Sequence, residues 1–130
     1  TVANNANILT QKKTDVLNPN QDINNVVRRA QLTSNIIDRE PTNSIEHVSL
    51  QEQNKLYLFT EIIGKTNQKT IHRWIFKQNI VAQVTLNIGS YQWRTYSSKS
   101  FDDTMIGQWT VQVVDEDNNV LKTVEFEVLQ

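Results

Sequence analysis

Cysteine is absent from this 130-residue chain, so no disulfide framework staples it and no thiolate can hold a metal. Histidine is almost as scarce: His47 and His72 stand 25 residues apart, and neither sits in a ligand-spaced cluster. No excess of either charge exists, with 13 basic residues against 14 acidic ones, which argues against a nucleic-acid or polyphosphate partner. No apolar run approaches the roughly 18 residues of a transmembrane helix. The chain begins at Thr1 without a methionine, which leaves room upstream for a signal, a membrane anchor or a preceding domain. Residues 1–27 lack aromatics and glycine but hold seven asparagines, too little apolar surface to offset the ordering of a backbone. They are expected to form a disordered, Asn-rich linker, with residues 28–130 as the single folded domain.

What is present is alternation. Ala30, Leu32, Ser34 and Ile36 alternate with Gln31, Thr33 and Asn35, the period of a half-buried strand. Asp38-Arg39-Glu40-Pro41 stops that run, since proline cannot donate to a ladder and holds Glu40 extended. Asn43–Gln53 fits neither period and is expected to be a loop with at most one helical turn. Further strands are predicted over Lys55–Ile62, Thr70–Phe76, Ala82–Ile88, Gln92–Ser97, Trp109–Val113 and Val120–Val128. Lys77-Gln78-Asn79 reads as a tight turn, and Asp115–Asn119 as a hairpin turn whose asparagines tolerate positive φ. About seven strands at sandwich spacing, without a convincing helix, predict an all-β, immunoglobulin-like antiparallel β-sandwich; a small β-barrel is the alternative. All ten aromatics lie between Tyr57 and Phe126, which locates the core.

Chemistry concentrates in two segments that each join Arg to Trp, Ile71–Phe76 and Gln92–Lys99. On the first, His72, Trp74 and Phe76 share one face and Ile71, Arg73 and Ile75 the other. On the second, Trp93, Thr95 and Ser97 oppose Gln92, Arg94 and Tyr96, and alternation alone leaves open which face is buried. Two readings follow. In one, the tryptophans are core residues covered by Arg stems. In the other, Arg73, Trp74, Trp93, Arg94, Tyr96 and Lys99 form a recognition surface of the residue types favoured at interface hot spots. Beside them Arg39, Glu40, Glu61, His72 and Arg94 are expected to form a structural polar cluster, organised by Arg94 with Glu61 and Glu40 as its carboxylate partners. No catalytic motif, metal site or cofactor is expected. Ser97-Ser98-Lys99 has no nucleophile elbow around it, and Asp115–Asn119 resembles a calcium loop only in its acidity.

Arg39-Glu40-Pro41, Tyr57-Leu58-Phe59-Thr60-Glu61, His72-Arg73-Trp74, Trp93 to Lys99, Gly107-Gln108-Trp109-Thr110-Val111, Asp115 and Leu121 occur in one order. In that order they resemble a bacterial domain-of-unknown-function family, number 2914, over nearly all of residues 28–130. One departure is Asn119, where the family's last hairpin usually has glycine, so a left-handed Asn is expected there. The resemblance implies an Ig-like, usually C-terminal domain held in an extracytoplasmic, periplasmic location, and it implies no activity. The resulting expectation is a non-catalytic protein-interaction or structural module of a bacterial cell-envelope assembly, with an envelope protein as partner. A glycan- or peptidoglycan-binding module that stacks a polysaccharide on Trp and Tyr is the second expectation.

Overall fold

Period-two patterning turns into strands through most of the chain. In the computed structural model, which describes residues 25–130, ten strands follow one another. They are β1 (Val27–Thr33), β2 (Ile36–Ile37), β3 (Glu40–Pro41), β4 (His47–Ser49), β5 (Lys55–Ile63), β6 (Lys69–Phe76), β7 (Asn79–Asn87), β8 (Gln92–Ser100), β9 (Gly107–Asp115) and β10 (Val120–Leu129). One sheet has the order β1-β5-β8 and the other β4-β10-β9-β6-β7, while β2 and β3 form a small hairpin of their own. In immunoglobulin lettering this is A-B-E facing A′-G-F-C-C′, so the molecule is an immunoglobulin-like sandwich with seven long strands. The linker expected at 1–27 falls outside the described residues as far as Asn24. Val26 and Val27 are already buried in the core, so the domain starts slightly before residue 28.

The two inner faces supply the core. Leu32, Leu56, Leu58 and Ile62 project from the three-stranded sheet, and Trp74, Trp109, Val111, Val113, Phe126 and Val128 from the five-stranded one. Aromatic rings knit the second layer: Trp74 meets Phe126 edge-on at 6.1 Å, and Phe76 stacks on Trp109 at 4.7 Å. Phe101, from the loop after β8, closes on Trp109 at 5.0 Å. Such rings combine a large buried apolar area with a preferred geometry. The indole Nε1 of Trp109 donates to the Met105 carbonyl at 2.8 Å, which ties the 3₁₀ turn Asp103–Met105 to the sheet.

Three local expectations change. The strand expected to run to Ile36 ends at Thr33, because the Thr33 hydroxyl accepts from the Thr42 and Asn43 amides at 3.2 Å each and the Ser34 amide turns to Asn43 Oδ1 at 2.9 Å. Asn43–Gln53 is not all loop: β4 pairs parallel with β10 through Val48↔Val128. Only Val48 of β4 is buried, so no alternation announces this strand. In the last hairpin the left-handed residue is Asn118, at φ 67°, rather than Asn119. Asn119 instead donates its backbone and side-chain N–H groups to the Asp115 carboxylate at 2.8 and 3.0 Å. Asp38 and Arg39, and likewise Lys77 and Gln78, take paired positive φ values, the signature of two-residue hairpin turns matched to strand twist.

A Cβ at Gly89 would lie 2.7 Å from Cη2 of Trp93, whose ring packs over the backbone at the β7–β8 crossover. Gly89→Ala is therefore expected to displace that ring and lower stability by about 1–3 kcal/mol, read as a shifted urea midpoint with unchanged slope.

Candidate functional site

The site is built on the outer face of the three-stranded sheet, and a backbone irregularity creates it. Val27 lies opposite Ile62, yet Arg29 lies opposite Glu61, so one residue is inserted at Arg28. A ladder continued without a bulge from Val27↔Ile62 would place Arg29 opposite Thr60, facing the core. The bulge turns it outward, beside Glu61 and over the ring of Phe59, whose centroid is 4.8 Å from the guanidinium carbon. Arg29 then donates from Nε to Glu61 Oε1 at 2.6 Å and from its two terminal nitrogens to both oxygens of Glu40 at 2.9 Å. Glu40 reaches the sheet because the β2–β3 hairpin folds back over it, and it also accepts from Arg94 Nη1 at 2.5 Å. Gln92 Nε2 donates to the second oxygen of Glu61, again at 2.5 Å. Arg39, at the hairpin tip, lies 5.8 Å from the Trp93 ring and has no carboxylate partner among the described residues.

These contacts set the electrostatics. The Arg29 fork, and after it Arg94, hold the Glu40 carboxyl down at about 2. Hydrogen bonds from Gln92 and then Arg29 keep Glu61 below the usual carboxylate range although burial opposes them. Arg29 is raised in turn, chiefly by its bonds to Glu40. Around the group opens a cleft of about 560 Å³ lined by Arg29, Arg39, Arg94, Glu40, Glu61 and Trp93 among others. Three guanidiniums against two carboxylates leave this cleft with a surplus positive charge.

Of the residues expected to form a recognition surface, only Arg94 and the half-buried Trp93 line this cleft, while Tyr96 lies farther along β8, edge-on to Tyr57. Trp74 is fully buried between the sheets and cannot serve as a platform. Arg73 lies on the opposite outer face, where it donates to Gln83 Oε1 at 3.1 Å and Asn118 Oδ1 at 2.7 Å. Lys99 turns over Phe101 and Trp109 and donates to its neighbour's carbonyl, Ser100 O, at 2.9 Å. The expected polar cluster is likewise divided. Glu40, Glu61 and Arg94 meet, but Arg94 engages Glu40 alone. Arg39 stacks instead of pairing, and His72 is elsewhere. Arg29, set opposite Glu61 on the outer face beyond the bulge, is the true centre. Tyr91, 66% exposed beside Arg28 and Lys122, also went unnoticed in the pattern.

His72 occupies the sandwich interior. Its Nδ1 lies 2.6 Å from Ser97 Oγ of β8 and its Nε2 3.2 Å from Thr60 Oγ1 of β5, so one ring from the five-stranded sheet bridges two strands of the other. The imidazole is completely buried, and burial pushes its pKa down to about 3. The His72–Ser97 pair has the reach of a base and a nucleophile, but both side chains are closed to any substrate. It acts as a neutral hydrogen-bonded strut, satisfying polar groups that would otherwise destabilise the core.

Two outcomes follow for stability. An unfolded His72 takes up a proton below its ordinary value of 6.5, whereas the folded one resists until about 3. Its contribution is therefore full above pH 6.5 and lost as pH falls toward 3, at up to about 1.4 kcal/mol per unit. Urea melts between pH 7.5 and 5 should show this slope, and His72→Gln should flatten it. Below pH 4.5 the depressed Glu40 and Glu61 add a further loss of the same sign. At neutral pH, Arg29→Lys is expected to cost about 1–2 kcal/mol because it loses the fork shared by two carboxylates, and Arg94→Lys under about 1 kcal/mol. Equal costs would contradict the ranking.

No curated protein matches the chain. Among solved structures, the crystal structure of the CARDB domain of the PF1109 protein from Pyrococcus furiosus, in complex with di-metal ions, aligns at 14% identity and a TM-score of 0.44. The alignment covers 77% of this chain and 94% of that one. A family model, described as "Protein of unknown function (DUF2914)", matches residues 67–128. That span begins in the turn before β6, so Arg39-Glu40-Pro41 and Tyr57–Glu61 lie ahead of it. From residue 67 to residue 128 the chain is similar to that family of unknown function, the one its motifs resemble.

Proposed function

We propose that the domain is a non-catalytic protein-interaction module of a bacterial cell-envelope assembly, held outside the cytoplasm, with the Asn-rich residues 1–27 as its tether. The observation that carries this reading is the cleft on the outer face of the three-stranded sheet. It is open, it has one guanidinium more than it has carboxylates, and the aromatic Trp93 stands beside Arg39. Arg and Trp are the residue types that dominate binding energy at protein interfaces. Arg39, a planar guanidinium without a carboxylate partner among the described residues, is suited to a bidentate bond with a partner's Asp, Glu or chain terminus. The second reading, a polysaccharide-binding module, rests on Tyr96 and Tyr91, 46% and 66% exposed. Trp74 no longer contributes to it.

Arg39→Glu reverses the charge of the cleft at an exposed hairpin tip, where Arg39 meets only the Trp93 ring among the described aromatic residues. Immobilised chain and its Arg39→Glu variant, offered detergent-solubilised envelope of the source bacterium, should differ. The unaltered chain is expected to retain a specific protein that the variant releases, with circular dichroism unchanged. Recovery of the same proteins by both forms would reject the cleft as the interaction site. Retention of both forms on purified peptidoglycan, competed by soluble glycan and abolished by Tyr96→Ala, would support the polysaccharide reading instead.

A further inference from the structure

The long sheet edges differ in how they are closed. β1 carries the bulge at Arg28, β7 carries a register shift opposite Trp74 and Ile75, and β4 is only three residues long. Bulges and short strands are the usual means of keeping an edge from pairing. β8 has neither. Among the described residues it lies at the end of its sheet and pairs with β5 alone, through nine consecutive partners from Lys55↔Ser100 to Ile63↔Gln92, and it contains no proline.

Which backbone groups β8 leaves open follows from the ends of its ladder. Gly64 N donates to Tyr91 O at 2.7 Å and Phe101 N to Asn54 O at 2.8 Å, which continue the same register beyond each end. In an antiparallel pair, hydrogen-bonded and non-bonded partners alternate. Trp93, Thr95, Ser97 and Lys99 therefore bond β5, while Gln92, Arg94, Tyr96, Ser98 and Ser100 aim their N–H and C=O groups at the open edge. The two ends of that set are closed locally: Gln92 O accepts from Ser90 Oγ at 3.0 Å and Ser100 O from Lys99 Nζ at 2.9 Å. Among the described residues nothing closes Arg94, Tyr96 and Ser98 between them.

We propose that this edge pairs with the same edge of a second copy, antiparallel about a two-fold axis at Tyr96. Open residues of one parity are self-complementary under that axis: Tyr96 meets Tyr96 of the second copy, and Arg94 meets Ser98 of it in both directions. Each pair can exchange both backbone hydrogen bonds. The charges agree as well. Lysine and arginine commonly guard an edge by repulsion, but here Lys99 is folded over its own Phe101 and Trp109, and Arg94 is held by Glu40. No cation faces another across the seam, and Tyr96, nearly half exposed and edge-on to its own Tyr57, gains a second aromatic partner. The result is one six-stranded sheet, β1-β5-β8-β8-β5-β1, carrying two Arg29 clefts on the same face. This goes beyond the interaction role proposed above and stands or falls independently of it.

The chain has no cysteine, which makes the test clean. Bonded partners in such a pair lie about 5.5 Å apart at Cα, within disulfide range. Tyr96→Cys is therefore expected to oxidise to a disulfide-linked dimer under mild oxidant, whereas Tyr91→Cys, more exposed but outside the seam, stays largely monomeric. Without oxidant, sedimentation equilibrium of the unaltered chain should show a concentration-dependent doubling of mass. Ser98→Lys, which sets a cation opposite Arg94 of the second copy, should weaken that association at least about tenfold while leaving the circular dichroism spectrum unchanged. A monomer at every concentration, or equal cross-linking at both positions, overturns the proposal. So does a monomer whose β8 amides become protected only when a different protein is added.

Discussion

The extra residue at Arg28 governs both what this sandwich buries and what it displays. Up to Val27 the first strand follows the core alternation set by Ile62, and from Arg29 onward it follows the alternation set by Thr60, Leu58 and Leu32. With a regular ladder an arginine would point between the sheets, where a charge without full pairing is costly. The inserted residue moves it to the outer face, where two carboxylates from β3 and β5 and the ring of Phe59 await it. Glu61, 5% exposed on the central strand of its sheet, depends on that arrangement. So does the position of the β2–β3 hairpin, which is held to the sheet through Glu40.

Inside and outside, the same central strand solves opposite problems. Its inner face offers Thr60 to His72, a neutral bridge that satisfies hydroxyls within an apolar layer. Its outer face offers Glu61 to Arg29, an ionic bridge whose surplus charge lies toward solvent. The inner bridge fixes the spacing of the sheets, and the outer one fixes the shape of the cleft. Because β8 contributes Ser97 to the first and Arg94 to the second, it is anchored on both faces, while among the described residues its backbone edge stays open.

Strands with a strict period of two were legible in the sequence, and each of the seven long ones overlaps the run that alternation marked, although β1 stops early at Thr33 and β7 and β8 extend beyond their expected ends. β4 was not legible, since three residues with a single buried side chain carry no period and its parallel partner lies 80 residues away (Val48 to Val128). The faces of the two Arg–Trp segments were undetermined for a related reason: alternation separates faces but does not sign them. Trp74 and His72 proved internal, Arg73 external on the far sheet, and Lys99 a cover for core rings. Arg29 escaped notice because its role is set by a bulge, and a bulge leaves no mark in hydrophobic patterning. The pairing of Glu40 with Arg94 was anticipated from the motifs they share; the assignment of Glu61 to Arg94 failed because Arg29 is there first.

A double-mutant cycle between Arg29 and Glu61 tests the organising role of the bulge most directly. Stability is measured for the unaltered chain, Arg29→Met, Glu61→Gln and the double variant at neutral pH. A coupling of about 1–2 kcal/mol between the two positions is expected, because beyond the bulge they are direct partners. Additive losses, with a coupling below about 0.3 kcal/mol, would contradict it.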